Sequence, residues 1–333
     1  MVSLRHMALT LSADTFGVIG GIGAATAGAV FYGNALIGSV LLFRLARRWP
    51  RLMVSWANME DLMRRGRAPK LKLRIAVLCA FVMVSALVEH FMSMLNAVPA
   101  FIAVHWQGQP RPENAVDDSQ GLFLEFLDEY CHASHAFIFE HVQYNLFTGL
   151  LIFVMSKVTT FTWNFVDLFL MVVSTGLAER FKQFNTVVIE SDVSALNKED
   201  WRELREYFAA LSSLTKNVDN NICSIVFLSF GNNLYFICLQ LLNGLSPGSN
   251  SWLSTIYFFY SFGFLLGRTI MVTLITARIN DLSKEGLTAL FSCPSDTYNV
   301  EVARLQHQMA SDDLALTGLR FFSITRNFML AVS

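Results

Sequence analysis

Stretches long and apolar enough to cross a bilayer constrain this chain more than any other feature. Residues 19–43, 75–98, 146–176 and 252–277 each exceed the length of about 20 mostly apolar residues that a helix needs to span the hydrocarbon core. Residues 222–244 carry Asn232, Asn233 and Gln240 and still predict a span, because amides inside a bundle bond across helices. Hydrophobic residues make up 53% of the 333 and charged residues 15%, outside the usual range of a soluble domain. The expected class is an all-α integral membrane protein.

Basic residues set the orientation. Arg44, Arg47, Arg48, Arg51, Arg64, Arg65, Arg67, Lys70, Lys72 and Arg74 follow the first span against only Glu60 and Asp61, so this segment is expected in the cytoplasm. Residues 99–145 then lie outside, as an acidic loop whose single strong base is Arg111. Alternation puts 178–221 inside, 245–251 outside and 278–315 inside, and the tail from Leu319 starts a further span. On this count one crossing lies upstream of the first span, and the chain reads as truncated at both ends. Arg5 and His6 before an apolar stretch resemble a signal peptide, but the apolar run continues well past the ~15 residues of a signal core.

The cytoplasmic parts are predicted to be helical. Over residues 197–220, Asn197 stands as an N-cap with acids in the first turn, and Trp201, Leu204, Phe208 and Leu211 recur at helical spacing. This helix is expected to run straight into the span at 222–244, and residues 178–185 are expected to extend the long span before it.

Ionisable side chains at membrane depth are costly and mark candidate sites. Glu89 and His90 lie 15 and 16 residues beyond Arg74, about 22 Å up a helix, in the outer third of the membrane. Trp163 and Asp167 are four apart and share a helical face, with Lys157 placed to neutralise one of the acids. Together they suit a hydroxyl-rich ligand: a sugar's C–H face packs on aromatics while its hydroxyls seek carboxylate and amide acceptors. Tyr235, Trp252, Tyr257, Phe258 and Tyr260 are candidate walls. The bland alternative, that Glu89, His90, Lys157 and Asp167 satisfy one another between helices, fits equally well. Arg268 is expected to snorkel to the inner interface, and His132, His135 and His141 to sit in a solvated loop.

Other chemistry finds no support. Net charge is −1, giving no reason for a nucleic-acid partner. Cys79, Cys131, Cys223, Cys238 and Cys293 show neither a disulfide framework nor metal-ligand spacing, and only Cys131 falls in the outer loop. Motifs of hydrolases, metalloproteases, P-loop proteins and dinucleotide-binding proteins are absent, so neither a catalytic residue nor a cofactor is expected.

The segments "FYGNALIGSVLLFRLARRWPRLMVSW", "ALVEHFMS", "FTWNFVDLFLMVVSTGLAERFKQFN", "GRTIMVTLITARINDLSKE" and "NVEVARLQHQMASDDLALTGLRFFSITRNFMLAVS" resemble, in order, insect gustatory receptors of the sugar-receptor subfamily. The resemblance implies a seven-helix fold with a cytoplasmic N-terminus, of which the first helix and the end of the last are missing. It also implies a sugar-gated cation channel of four subunits, homomeric or shared with other gustatory receptors, in the plasma membrane of taste neurons and bathed in its lipid. On that pattern residues 1–278 form the sensor bundle with Glu89, His90, Trp163, Asp167, Tyr235, Trp252 and Tyr257 as ligand contacts. Residues 279–333 supply a cytoplasmic anchor with Arg304 and Gln308, then a pore helix starting near Gly318 and carrying Phe321, Phe322, Thr325 and Asn327. A sugar transporter is the alternative, expected to show inverted repeats and proline- or glycine-broken helices. A G-protein-coupled-type receptor is a further one, which the basic cluster at 44–74 opposes.

Overall fold

The computed structural model describes residues 21–62, 71–106, 121–139, 142–190, 196–244, 252–295 and 297–328. Long helices dominate: α1 (Gly21–Leu62), α2 (Leu71–Ala97), α3 (Pro99–His105), α4 (Leu122–Phe139), α5 (Leu146–Glu190), α6 (Lys198–Gly244) and α7 (Trp252–Glu285). Short elements follow: α8 (Leu287–Phe291), α9 (Val300–Ser311), β1 (Thr317–Gly318) and β2 (Phe322–Ser323). Among the described residues five helices, at α1, α2, α5, α6 and α7–α8, are long and apolar enough to cross a membrane, and they coincide with the five expected spans. On α2, Leu73, Val77, Phe81, Val84, Leu87 and Phe91 recur every three or four residues, and all are exposed. Such an outward apolar stripe needs lipid or another apolar surface against it.

The expected cytoplasmic extensions form. α5 continues unbroken to Glu190 and α6 runs from Lys198 through the span. Asn197 caps α6 in a reciprocal pair: its Oδ1 accepts from Asp200 N at 2.9 Å, and its own N donates to Asp200 Oδ2 at 3.0 Å. Residues 1–20, the outer segment 245–251, His141 and Arg111, on which expectations were placed above, lie outside the described residues.

The chain divides into two compact units. Unit 1 comprises residues 1–37, 82–164 and 232–267; unit 2 comprises 38–81, 165–231 and 268–333. The core of unit 1 gathers Val98, Phe101, Ile102, Leu127, Tyr130 and Cys131, with Phe153 and Leu253 packed against it. The expected acidic outer loop is thereby corrected. Its described parts fold as α3 and α4, because Leu127, Tyr130 and Cys131 recur at helical spacing and bury together. Cys131 is fully buried rather than exposed, and His135 is buried rather than solvated.

Unit 2 is built around Phe181 and Phe184 of α5 and Trp201, Tyr207, Phe208 and Leu211 of α6, all shielded from solvent. Burial of each contributes roughly 2–3 kcal/mol. α9 starts at Asn299, whose side chain accepts from Glu301 N and Val302 N. Buried Glu301 then receives Arg205 Nε at 2.6 Å and Arg304 Nη1 at 3.1 Å.

Beyond α9 the chain departs from expectation. No helix starts near Gly318. Thr317 pairs with Ser323 and Gly318 with Phe322 in an antiparallel hairpin closed by Leu319 (φ 50°) and Arg320 (φ 63°). The loop spans residues 319–321, and Phe321 N donates to Gly318 O at 2.9 Å across the two left-handed residues. A Cβ added at Gly318 would run into the Phe322 ring, so glycine lets that ring pack over the hairpin. Asp219 of α6 holds the hairpin, accepting from Thr317 N at 2.6 Å and from Thr317 Oγ1 at 3.1 Å. Leu319 N donates to Cys223 O at 3.2 Å, and Arg320 reaches Asn220 Oδ1 at 2.7 Å. Helical backbone resumes only at Arg326, after Thr325, whose hydroxyl accepts from Phe328 N at 3.3 Å.

Candidate functional site

Unit 1 concentrates polar side chains on helices whose lengths span a membrane. Glu89 on α2 accepts from Ser261 Oγ of α7 at 2.9 Å, and Ser261 in turn receives Gln240 Nε2 of α6 at 3.1 Å. The Tyr257 hydroxyl lies among Glu89, Ser93 and Ser261. Tyr260, one turn along α7, donates to Ser85 O at 3.2 Å. Three helices thus meet at a carboxylate, an amide and hydroxyls, a donor–acceptor row of the kind that reads sugar hydroxyls.

A second group surrounds Trp163 of α5. Its indole donates to Asn233 Oδ1 at 3.0 Å, its ring lies 4.6 Å from Phe236 and 6.4 Å from Phe31, and it is half-buried. Asn34 and Asn232 bond at 2.7 Å between α1 and α6, and Tyr235 meets Thr26 at 2.7 Å. An aromatic face beside amides can take the apolar side of a ring while hydroxyls bond at its edge.

A third cluster was not legible beforehand. α4 breaks at His135, where the backbone (φ −134°, ψ 29°) leaves the helical region. The freed ring meets Tyr32 Oη at 2.8 Å and packs beside Tyr130. Tyr130 Oη takes Lys157 Nζ at 3.1 Å and lies 3.4 Å from Ser156 Oγ. Burial holds the His135 imidazole down at a pKa of about 4, with the Lys157 charge adding in the same direction. Burial likewise pushes the Cys131 thiol up to about 11.

The expected site residues separate accordingly. Glu89 and Tyr257 fall in the first group and Trp163 and Tyr235 in the second. His90 Nε2 is buried with no hydrogen-bond partner. Trp252, the first residue of α7, is 70% exposed and leaves its ring on the surface. Asp167 belongs to unit 2, fully buried, with Ser229 Oγ donating at 2.5 Å and Arg268 Nε in an ion pair with it at 2.9 Å. This corrects two expectations: Lys157 neutralises neither acid, and Arg268 pairs with Asp167 instead of snorkelling. An arginine side chain only 2% exposed finds its charge balance in the bundle more cheaply than at the interface. Of the expected pore residues, Phe321 lies in the hairpin turn, Phe322 in β2, Thr325 before the final turn and Asn327 within it. Arg304 and Gln308 both lie on α9.

Unit 2 also holds an apolar groove of about 530 Å³, between Leu42, Phe43 and Trp49 of α1 and Phe165 and Phe169 of α5.

Comparison with known proteins agrees with this architecture. The profile of a family described as trehalose receptor matches residues 13–333. Over 91% of its length the chain is 32% identical to the gustatory receptor for sugar taste 64f of Drosophila melanogaster. It is 33% identical over 91% to gustatory receptor 5a for trehalose of the same fly. The chain spans 62% and 65% of the lengths of these two relatives. Its fold is similar to that of the insect olfactory receptor OR5 from Machilis hrabei, with a TM-score of 0.65, 10% identity, and coverage of 99% of this chain and 81% of that one. The eugenol complex of the same receptor aligns with a TM-score of 0.57 at 13% identity. The chain is therefore a multi-pass membrane protein that belongs to the trehalose receptor family, within the sugar-receptor subfamily of insect gustatory receptors.

Proposed function

We propose that this chain is the sugar-sensing part of a ligand-gated cation channel subunit, working in the plasma membrane of taste neurons as one of four homomeric or heteromeric partners. The observation that carries the reading is the pair of groups in unit 1: the Glu89–Ser261–Gln240 row, and the Trp163 and Phe236 rings beside Asn233. Together they offer what a sugar needs, an aromatic face for C–H groups and acceptors for hydroxyls. Family membership supports the same class of ligand, as do the sugar and trehalose receptors it resembles.

A ligand shifts a channel only as far as it prefers one arrangement of the helices. α5, α6 and α7, which carry Trp163, Gln240 and Ser261, also carry Asp167, Ser229 and Arg268. Residues 279–333 would supply the anchor, with Arg304 and Gln308 on α9. The hairpin bearing Phe321 and Phe322 would lead into a pore-lining helix that starts at Thr325 and Asn327.

Cation currents recorded during a panel of mono- and disaccharides test this. Sugar-evoked current is expected, with Glu89→Gln and Trp163→Ala each shifting the dose–response by about tenfold or more. Sugar responses unchanged by both substitutions would place the ligand elsewhere.

A further inference from the structure

Lys157 is the only lysine or arginine among the described residues of unit 1. It stands on α5 at a depth where an ionised ammonium is costly without a counter-charge. Among the described residues no carboxylate reaches it. The four described acids of the unit are engaged elsewhere. Glu89 takes Ser261, Glu129 accepts from Phe101 N at 2.7 Å, Glu125 meets His105 at 3.1 Å and Asp128 meets His132 at 3.3 Å. Lys157 instead bonds the Tyr130 hydroxyl and sits over the Tyr130 and Phe153 rings, 4.4 Å from each centroid. Ring faces temper the charge, yet an ammonium has three donors and only one is bonded.

Its surroundings point the same way. Ser156 Oγ adds a hydroxyl beside Tyr130. The corner therefore presents a cation and two hydroxyls, with no described negative charge to balance them.

We propose that Lys157, with the hydroxyls of Tyr130 and Ser156, forms a site for a small carboxylate, which in this receptor is the acid group of a sugar acid. The ammonium and the phenol donate to the carboxylate oxygens. The choice of a sugar acid rests on the sugar-sensing reading; the anion site itself does not.

Binding to the purified full chain tests this with glucose, glucuronate and acetate as probes. Glucuronate is expected to bind about tenfold or more tightly than glucose. Lys157→Met is expected to remove that preference while leaving glucose binding unchanged, and Lys157→Arg to retain most of it. Competition by acetate would assign the site to carboxylates in general, and its failure to compete to sugar acids. Glucuronate binding without any neutral-sugar binding would sink the sugar reading and leave the anion site standing. Wild-type protein that binds glucose as tightly as glucuronate overturns the proposal without any variant having to fold, as does a preference that survives Lys157→Met.

Discussion

Replacing Asp167 by Leu leaves the Arg268 guanidinium, 2% exposed, without the carboxylate 2.9 Å away. At an effective dielectric constant near 20, unit charges at that distance attract by roughly 6 kcal/mol, which desolvation offsets in large part. Truncating one side of a buried pair typically costs about 3–5 kcal/mol, because the surviving charge has nowhere to go. The Ser229 hydroxyl also loses its acceptor. The expected result for Asp167→Leu is a fall in the melting temperature of detergent-purified protein on the order of 5–10 °C, taking ~2 °C per kcal/mol for a chain of this size. The double variant Asp167→Leu, Arg268→Met removes both charges and should recover most of the loss, since apolar replacement of a buried pair is often neutral. Equal melting temperatures for wild type and Asp167→Leu, or a double variant no better than the single, would refute the reasoning.

Two further outcomes follow from the described contacts. Asp219→Ala strands the Thr317 amide and hydroxyl at a cost of about 2–4 kcal/mol, and hydrogen exchange should speed up across 317–324 while Asp219→Asn exchanges more slowly than Asp219→Ala. His135, held near 4 when folded against 6.5 when unfolded, binds its proton more tightly in the unfolded chain. Stability is therefore full above pH 6.5 and falls by up to about 3 kcal/mol as pH drops toward 4, a slope that His135→Gln should flatten in melting curves.

Most of the helical frame was legible in the sequence because bilayer length and helical periodicity are local signals. Asn197 is an example: cap, acids and apolar repeat all lie within 15 residues, and the structure forms the cap. Depth alone singled out Glu89, which the structure bonds to Ser261. The misses have a common cause, since they depend on partners far along the chain. His135 read as a solvated loop residue because its partner Tyr32 lies 103 positions away. Arg268 read as a snorkelling side chain for the same reason, its acid lying on another helix. The hairpin at 317–323 was hidden differently. Leu319 and Arg320 occupy left-handed positions that Asn-Gly pairs usually signal, and only the contacts of Asp219, Cys223 and Asn220 hold them there.

Equilibrium binding of trehalose to the purified chain, followed through Trp fluorescence in wild type and in Trp163→Phe, tests sugar recognition by unit 1 most directly. Saturable quenching or enhancement that disappears in Trp163→Phe is the predicted result. A folded wild-type protein whose fluorescence and melting temperature are both indifferent to trehalose and to other mono- and disaccharides would contradict it.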